Sequence, residues 1–354
     1  MNYNDTVLVK FDQDISKDTF VSFDLDNTLI ATKSGKTFPK DGDDWKWLYP
    51  TIPQQLKKIS EIHQIIIFSN QKGLTGKNGI KKQKEWEHKL ENIYKKLKIN
   101  LIIMAASDDD NNRKPRIGMM DLLNKLSSDA PANITYNIAK SCYVGDAAGR
   151  SFDHSDTDRK FALNCGLKFY VPEEYFKKQK ADLPDIKYPQ LLKSPQVIPK
   201  IKQIYDKELI IMIGAPASGK STVSKNMDHE RVNRDTLNTK AKCIKKVKDL
   251  IKNNKNIVID NTNPDKDSRK IYIDLAKQNG YNTRAIYVKT SDDICMHNNW
   301  YRHLVQGGSK IPTMVYRIFN KKLNLKTISD EVDKYEEIDL KFGSDDKQYL
   351  TYYY

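Results

Sequence analysis

Cysteine is scarce in this chain: four residues in 354, Cys142, Cys165, Cys243 and Cys295, lie far apart and form no C-x-x-C pair. That spacing excludes a zinc ribbon and offers no disulfide framework, so reduced thiols in an intracellular protein are expected. No apolar run approaches membrane-spanning length, and the first ten residues lack the charged-then-apolar pattern of a signal peptide, so a soluble protein without a membrane partner is expected. Nucleus, cytoplasm and a viral replication site stay open. Acidic residues are outnumbered, 46 against 60 Lys and Arg, for a formal charge of +14. Such an excess draws in polyanions in a salt-sensitive way, but a merely solvated surface gives the same count, and only motifs separate the two.

What is present is enough apolar material, 38% of residues, to fill two ordinary cores. Short runs rich in Val, Ile and Phe alternate with longer amphipathic stretches, which predicts an α/β fold in two domains with mainly parallel sheets. Strands are expected at 19–25, 64–69, 101–105 and 141–146, then at 209–213, 256–260 and 284–288. A helix at 82–98 carries Trp86, Leu90, Ile93, Tyr94 and Leu97 on one face, as core packing requires. Helices are also expected at 294–305 and 313–323. Pro172, Pro184, Pro189, Pro195 and Pro199 interrupt the middle of the chain, so 1–171 and 207–354 read as domains and 172–206 as a linker.

The first domain carries Asp24-x-Asp26-x-Thr28 at the end of a predicted strand. A carboxylate that attacks phosphorus needs a cation to relieve anion repulsion and an acid to protonate the departing oxygen. Asp24 reads as the nucleophile and Asp26 as the acid and base, with Mg²⁺ held by Asp24, Asp26 and Asp146. Ser69 closes the next strand and can donate to a phosphate oxygen; Lys114 can neutralise charge; Asp146 follows Gly145. A strand-end hydrogen bond for Ser69 and a solvated lysine for Lys114 are the bland alternatives when each is taken alone. In that order the four elements resemble the haloacid dehalogenase-like phosphatases, although Ala147-Ala148-Gly149-Arg150 stands where a further acid often follows. Asp153, Asp156 and Asp158 read mostly as a solvated acidic loop.

The second domain contains Gly214-Ala215-Pro216-Ala217-Ser218-Gly219-Lys220-Ser221-Thr222 directly after an apolar strand. This G-x-x-x-x-G-K-[ST] loop binds nucleoside triphosphate: backbone N–H groups wrap the phosphates, Lys220 covers the β and γ phosphates, and Ser221 ligates Mg²⁺. Asp235 can accept a proton from an attacking hydroxyl, or else cap the helix that begins near Thr236. Asp260 to Pro264 ends the next strand, where an acid or amide lies near the metal. Arg302 and Arg317 fall where a phosphate-clamping lid is expected, with solvated helix arginines as the alternative.

Longer strings sharpen the resemblance. Phe161-Ala162-Leu163-Asn164, Arg113-Lys114-Pro115, Ser69-Asn70-Gln71, Asp44-Trp45 and His297-Asn298-Asn299 are similar to the polynucleotide kinase 3′-phosphatases, over about 20–330. The resemblance implies a phosphatase domain before a kinase domain, nucleic-acid strand ends as substrate with DNA favoured over RNA, ATP as donor, and a repair polymerase or ligase downstream. By position it implies Asp24 as nucleophile, Asp26 as acid and base, Asp146 as metal ligand, Lys220 and Ser221 in the nucleotide loop, and Asp235 as base. Two departures stand out. The residues before the first phosphatase strand are too few for the forkhead-associated domain of animal members, and Met296 and Trp300 replace lid arginines, so a weakened kinase is the nearest alternative. A strand-end-binding protein without catalysis, and a small-metabolite phosphatase fused to a nucleoside kinase, are the others.

Overall fold

The computed structural model describes residues 2–4, 7–11, 15–75 and 79–354. The chain divides into two units, Met1–Lys187 with Thr351–Tyr354, and Tyr188–Leu350. Both are α/β. In the first unit the strands are β1 (Asn2–Asn4), β2 (Val7–Phe11), β3 (Phe20–Phe23), β4 (Ile30–Ala31), β5 (Lys46–Trp47), β6 (Gln64–Asn70), β7 (Leu101–Ala106), β8 (Cys142–Val144) and β9 (Lys168–Tyr170). The helices are α1 (Ile52–Ile62), α2 (Gly79–Leu97), α3 (Gly118–Asp129), α4 (Thr157–Asn164) and α5 (Pro172–Lys177). The main sheet runs β1-β2-β7-β6-β3-β8-β9, and β4 and β5 form a separate ribbon. From β7 to β9 the pairings are parallel, while β2 joins β7 antiparallel and β1 joins β2 antiparallel.

Side chains on successive residues of a strand face opposite ways, so a sheet covered on both sides needs apolar residues at every position. The central strands show this. Ile65 and Ile67 of β6, with Leu101 and Ile103 of β7, enter one core with Trp86, Leu90, Ile93 and Leu97 of α2. Ile66 and Phe68, with Ile102 and Met104, enter the opposite core with Met119 and Leu123 of α3. The segment read as a linker is shared between the units. Phe176 of α5 is buried in the first core and stacks on Phe23 at 5.8 Å, whereas Leu191, Ile198 and Ile201 pack against a core of the second unit.

The second unit contains β10 (Glu208–Ile213), β11 (Glu230–Val232), β12 (Ile257–Ile259), β13 (Asn282–Lys289) and β14 (Lys334–Asp339). They form an all-parallel sheet in the order β11-β12-β10-β13-β14. Its helices are α6 (Lys220–Ser224), α7 (Arg234–Leu237), α8 (Lys240–Lys252), α9 (Lys266–Gln278), α10 (Asp292–Leu304), α11 (Thr313–Lys322) and α12 (Ile328–Glu331). Arg269 of α9, fully buried, pairs with Glu331 through two bonds of 2.9 Å and donates to the carbonyls of Asn263 and Pro264. It thereby fixes the loop after β12.

Strand order decides where ligands can enter. In the first sheet β3 lies between β6 and β8, and in the second β10 lies between β12 and β13. Helical connections leave such a strand in opposite directions and open a crevice beyond its carboxyl end. Asp24 follows β3 directly, and Gly214 follows β10 directly.

Candidate active sites

Asp24 is buried beyond the end of β3, and its Oδ1 accepts from the Lys114 ammonium at 2.6 Å. Lys114 also donates to Asp158 at 2.7 Å and to the Tyr143 hydroxyl at 2.7 Å. Its main chain is bracketed by Asn70, which accepts from Lys114 N at 2.9 Å and donates to Lys114 O at 3.1 Å. Burial pushes the Asp24 carboxyl well above the ordinary range, and Lys114 pulls it back. Burial also works against the charge on Lys114, but Asp158 and Asp24 outweigh it and the net shift is upward. The ammonium is therefore held charged against a carboxylate pair.

Asp146, just past β8, accepts from Thr28 at 3.1 Å. Its carboxyl is pushed up to about 6 by burial and then by Asp158. Oxygens of Asp24, Asp146 and Asp158 lie within 4.8 Å of one another. Three carboxylates so close, served by one ammonium, suit a hard divalent cation with oxygen ligands.

Two expectations change here. The Asp26 carboxylate is not in this cluster: Gln71 donates to its Oδ2 at 2.8 Å and Lys89 to its Oδ1 at 3.3 Å. On a regular strand residues 24 and 26 would share a face, but β3 ends at Phe23 and the chain turns at once, with Leu29 N and Ile30 N donating to Leu25 O and Asn27 at φ 60°, which directs Asp24 to the cluster and Asp26 toward Lys89 of α2. Gln71 donates to Ser69 Oγ as well, at 2.8 Å, so Ser69, Gln71 and Asp26 form one line. Asp158, assigned to a solvated loop, is 2% exposed and is the third cluster carboxylate. It also accepts from Tyr143 at 2.9 Å and from Ala147 N at 3.0 Å. The sequence signal was Gly145, where an added Cβ would lie 2.6 Å from the Asp158 carboxyl. Asp153 instead binds Arg150, and Asp156 binds Lys160.

In the second unit the loop from Gly214 to Thr222 leads from β10 into α6. Gly214 has φ 157° and a Cβ there would meet Ser218 Oγ at 2.7 Å; Gly219 has φ 92°, and Ala217 takes φ 57°. Ala215 and Pro216 are buried within the loop. Lys220 is buried, and its ammonium donates to the Ala215 carbonyl at 2.6 Å. Burial pushes it down to about 8, opposed by Asp260 and Asp235, with Arg302 adding to the fall. Asp235, Asp260 and Arg302 thus all act on the Lys220 ammonium. Ser221 is the second residue of α6, and Arg317 is exposed on α11.

The helix-cap alternative for Asp235 fails. Asn233 caps α7, accepting from Asp235 N at 2.8 Å and Thr236 N at 3.3 Å, and leaves the Asp235 carboxylate exposed. Asp260 is held by Arg231 at 2.6 Å and by Asn233 at 3.3 Å. Its Oδ1 is buried with no hydrogen-bond partner among the described residues, a free acceptor suited to a metal-bound water. Met296 packs against the cluster of Ala215, Cys295, Tyr316 and Phe319, which includes a residue of the loop itself, and Lys310 sits over the Trp300 ring at 3.3 Å. Asn298, passed over as a functional residue, donates to the Ala217 carbonyl at 2.9 Å and accepts from Tyr349 at 2.6 Å. Only its place in His297-Asn298-Asn299 marked it.

Residues 19–176 match the family model for polynucleotide kinase 3 phosphatase, and residues 228–317 match that for an AAA domain. A bifunctional polynucleotide phosphatase/kinase of Schizosaccharomyces pombe is 35% identical over 345 residues, which is 95% of this chain and 83% of that protein. The chain belongs to the bifunctional polynucleotide phosphatase/kinase family. A mimivirus protein of the same description is 34% identical over 91% of this chain and 84% of its own length. The polynucleotide 3′-phosphatase ZDP of Arabidopsis thaliana is 36% identical over 44% of this chain and 23% of its own. The phosphatase match precedes the AAA-domain match along the chain. Among the described residues no helix is long and apolar enough to cross a membrane.

Gly145→Ala tests the geometry of the first site. The added carbon must push Asp158 from Lys114, so stability should fall by about 1–3 kcal/mol and Mg²⁺-dependent phosphatase turnover should be lost. Wild-type turnover and unfolding midpoint in this variant would contradict the contact.

Proposed function

We propose that this chain heals nucleic-acid ends, removing a 3′-phosphate at the first site and transferring the ATP γ-phosphoryl group to a 5′-hydroxyl at the second, as part of strand-break repair. The observation that carries the reading is the division of labour between two aspartates one residue apart. Asp24 is buried against Lys114, and Asp26 is anchored outside the carboxylate cluster by Gln71 and Lys89.

In this reading an Asp24 oxygen attacks phosphorus as the bond from phosphorus to O3′ breaks, and Asp26 gives its proton to O3′. Asp26, now a carboxylate, takes a proton from water, whose oxygen attacks the aspartyl-phosphate and releases phosphate and free Asp24. Lys114 and Ser69 balance charge on the phosphoryl oxygens. Mg²⁺ bound by Asp24, Asp146 and Asp158 would supply further charge neutralisation. At the second site Asp235 takes the proton of the 5′-hydroxyl, whose oxygen attacks the γ phosphorus while the bond to the β–γ bridging oxygen breaks. Lys220 and the N–H groups of the loop hold the phosphates, Arg302 and Arg317 clamp them, and Ser221 would hold a second Mg²⁺.

An oligonucleotide with 5′-hydroxyl and 3′-phosphate ends, incubated with Mg²⁺ and ATP, tests both activities at once. Asp24→Ala should abolish 3′-dephosphorylation and spare 5′-phosphorylation, and Asp235→Ala should do the reverse while ATP still binds. Loss of both activities in either variant, or of neither, would contradict the assignment.

Lys89→Met probes the anchoring of Asp26. General acid catalysis contributes roughly 10²–10⁴-fold when the leaving group is an alkoxide and little when it is p-nitrophenolate. The variant should therefore slow release of a nucleotide 3′-phosphate by about tenfold or more and slow p-nitrophenyl phosphate hydrolysis less, since there only the water step draws on Asp26. Equal slowing on both substrates would assign Lys89 to packing.

A further inference from the structure

Residues Thr351–Tyr354 follow the kinase unit in sequence but belong to the phosphatase unit. Their carbonyls are taken one after another. Asn164 donates to Tyr352 O at 2.8 Å, Arg116 Nε to Tyr353 O at 3.1 Å, and Lys160 to Tyr354 O at 2.7 Å. Tyr352 N donates back to Asn164 Oδ1 at 3.0 Å, and Tyr353 is 4% exposed. Such pairing is a specific seat, since a loosely lying segment leaves its backbone to water.

The three receiving residues stand beside the groups that form the first site. Arg116 is two residues beyond Lys114. Asn164 also donates to Pro115 O at 2.8 Å, so one side chain joins the residue after Lys114 to the 351–354 segment. Asn164 and Lys160 lie on α4, the helix that carries Asp158. Asn70 brackets Lys114 from the β6 side, and residues 351–354 hold the other side of the loop together with α4. Arg116 and Lys160 are both nearly inaccessible, and although Asp109 and Asp156 would still hold them, losing the carbonyls at 353 and 354 removes one acceptor from each buried cation, a cost that shifting the loop would relieve.

We propose that residues 351–354 are a positioning strap for the phosphatase site: they fix the loop bearing Lys114 against the helix bearing Asp158, so 3′-phosphatase turnover depends on a segment lying beyond the kinase sequence. This rests on the phosphatase reading given above. The strap touches no reacting group. Its effect is on the alignment of Lys114 with Asp24, which sets the turnover rate more than substrate capture.

The test compares the full chain with one ending at Leu350 and with Arg116→Met and Arg116→Lys in the full chain. In the shortened chain and in Arg116→Met, kcat for 3′-dephosphorylation should fall roughly 10- to 100-fold with KM nearly unchanged, while 5′-phosphorylation by the same preparation keeps its rate. Arg116→Lys, which retains a donor, should recover most of the loss. Unchanged kcat in the shortened chain overturns the proposal, as does a loss confined to KM or shared equally by the kinase. If the shortened chain does not fold, Arg116→Met decides alone, and normal kcat in it overturns the proposal. Hydrogen exchange separates this from failure of the functional reading. Amides of 111–118 and 156–164 should exchange faster in Arg116→Met even if the intact chain proves to have no phosphatase activity, and unchanged exchange there counts against the strap.

Discussion

A single buried ammonium organises the first unit's chemistry. Lys114 touches Asp24, Asp158 and Tyr143 within 2.7 Å and is 2% exposed. Burying one charge without partners is prohibitive, and burying three carboxylates around a crevice is worse. The ammonium makes the arrangement tolerable only in part: burial first, and the neighbouring carboxylates after it, hold Asp24 and Asp146 above their ordinary range. In the proposed reaction a divalent cation would offset that residual charge and let an anionic phosphoryl group approach. The frustration is stored in a rigid frame, because Asn70, Tyr143, Ala147 N and the 351–354 segment leave Lys114 and Asp158 little freedom.

The kinase unit stores its demand differently. The glycine-rich loop turns its backbone through positive φ at Gly214, Ala217 and Gly219, so its shape exists before nucleotide arrives. Thr290 donates to Ser218 O at 2.9 Å and Asn298 to Ala217 O at 2.9 Å, holding the loop from β13 and α10. Lys220 donates to the Ala215 carbonyl within the same loop, so the ammonium is held at the loop's centre by its own backbone.

Much of this was legible in the chain itself. Strands buried on both faces announce themselves as apolar runs, and the runs at 64–69, 101–105 and 209–213 coincide with β6, β7 and β10 to within a residue or two. Residues tied to a fixed local spacing, such as Asp24 with Asp26 or the glycines of the loop, were equally plain. What sequence could not display were contacts across long separations. Asp158 joins Asp24 over more than a hundred positions, and Lys89 reaches Asp26 from a helix whose lysines otherwise face solvent. Asn164 was visible only as part of a familiar string. The strands β1, at the edge of the sheet, and β2, beside it, escaped notice, and 351–354 carry no motif at all.

The most direct test of the central claim, that Asp24, seated against Lys114, is the nucleophile, is to trap the covalent intermediate. Borohydride added during turnover of a 3′-phosphorylated oligonucleotide reduces an aspartyl-phosphate to homoserine, and peptide mapping locates it. The account predicts homoserine at position 24, formed only with substrate present and absent from Lys114→Met. Homoserine at another aspartate, or none at position 24 during sustained turnover, would contradict it.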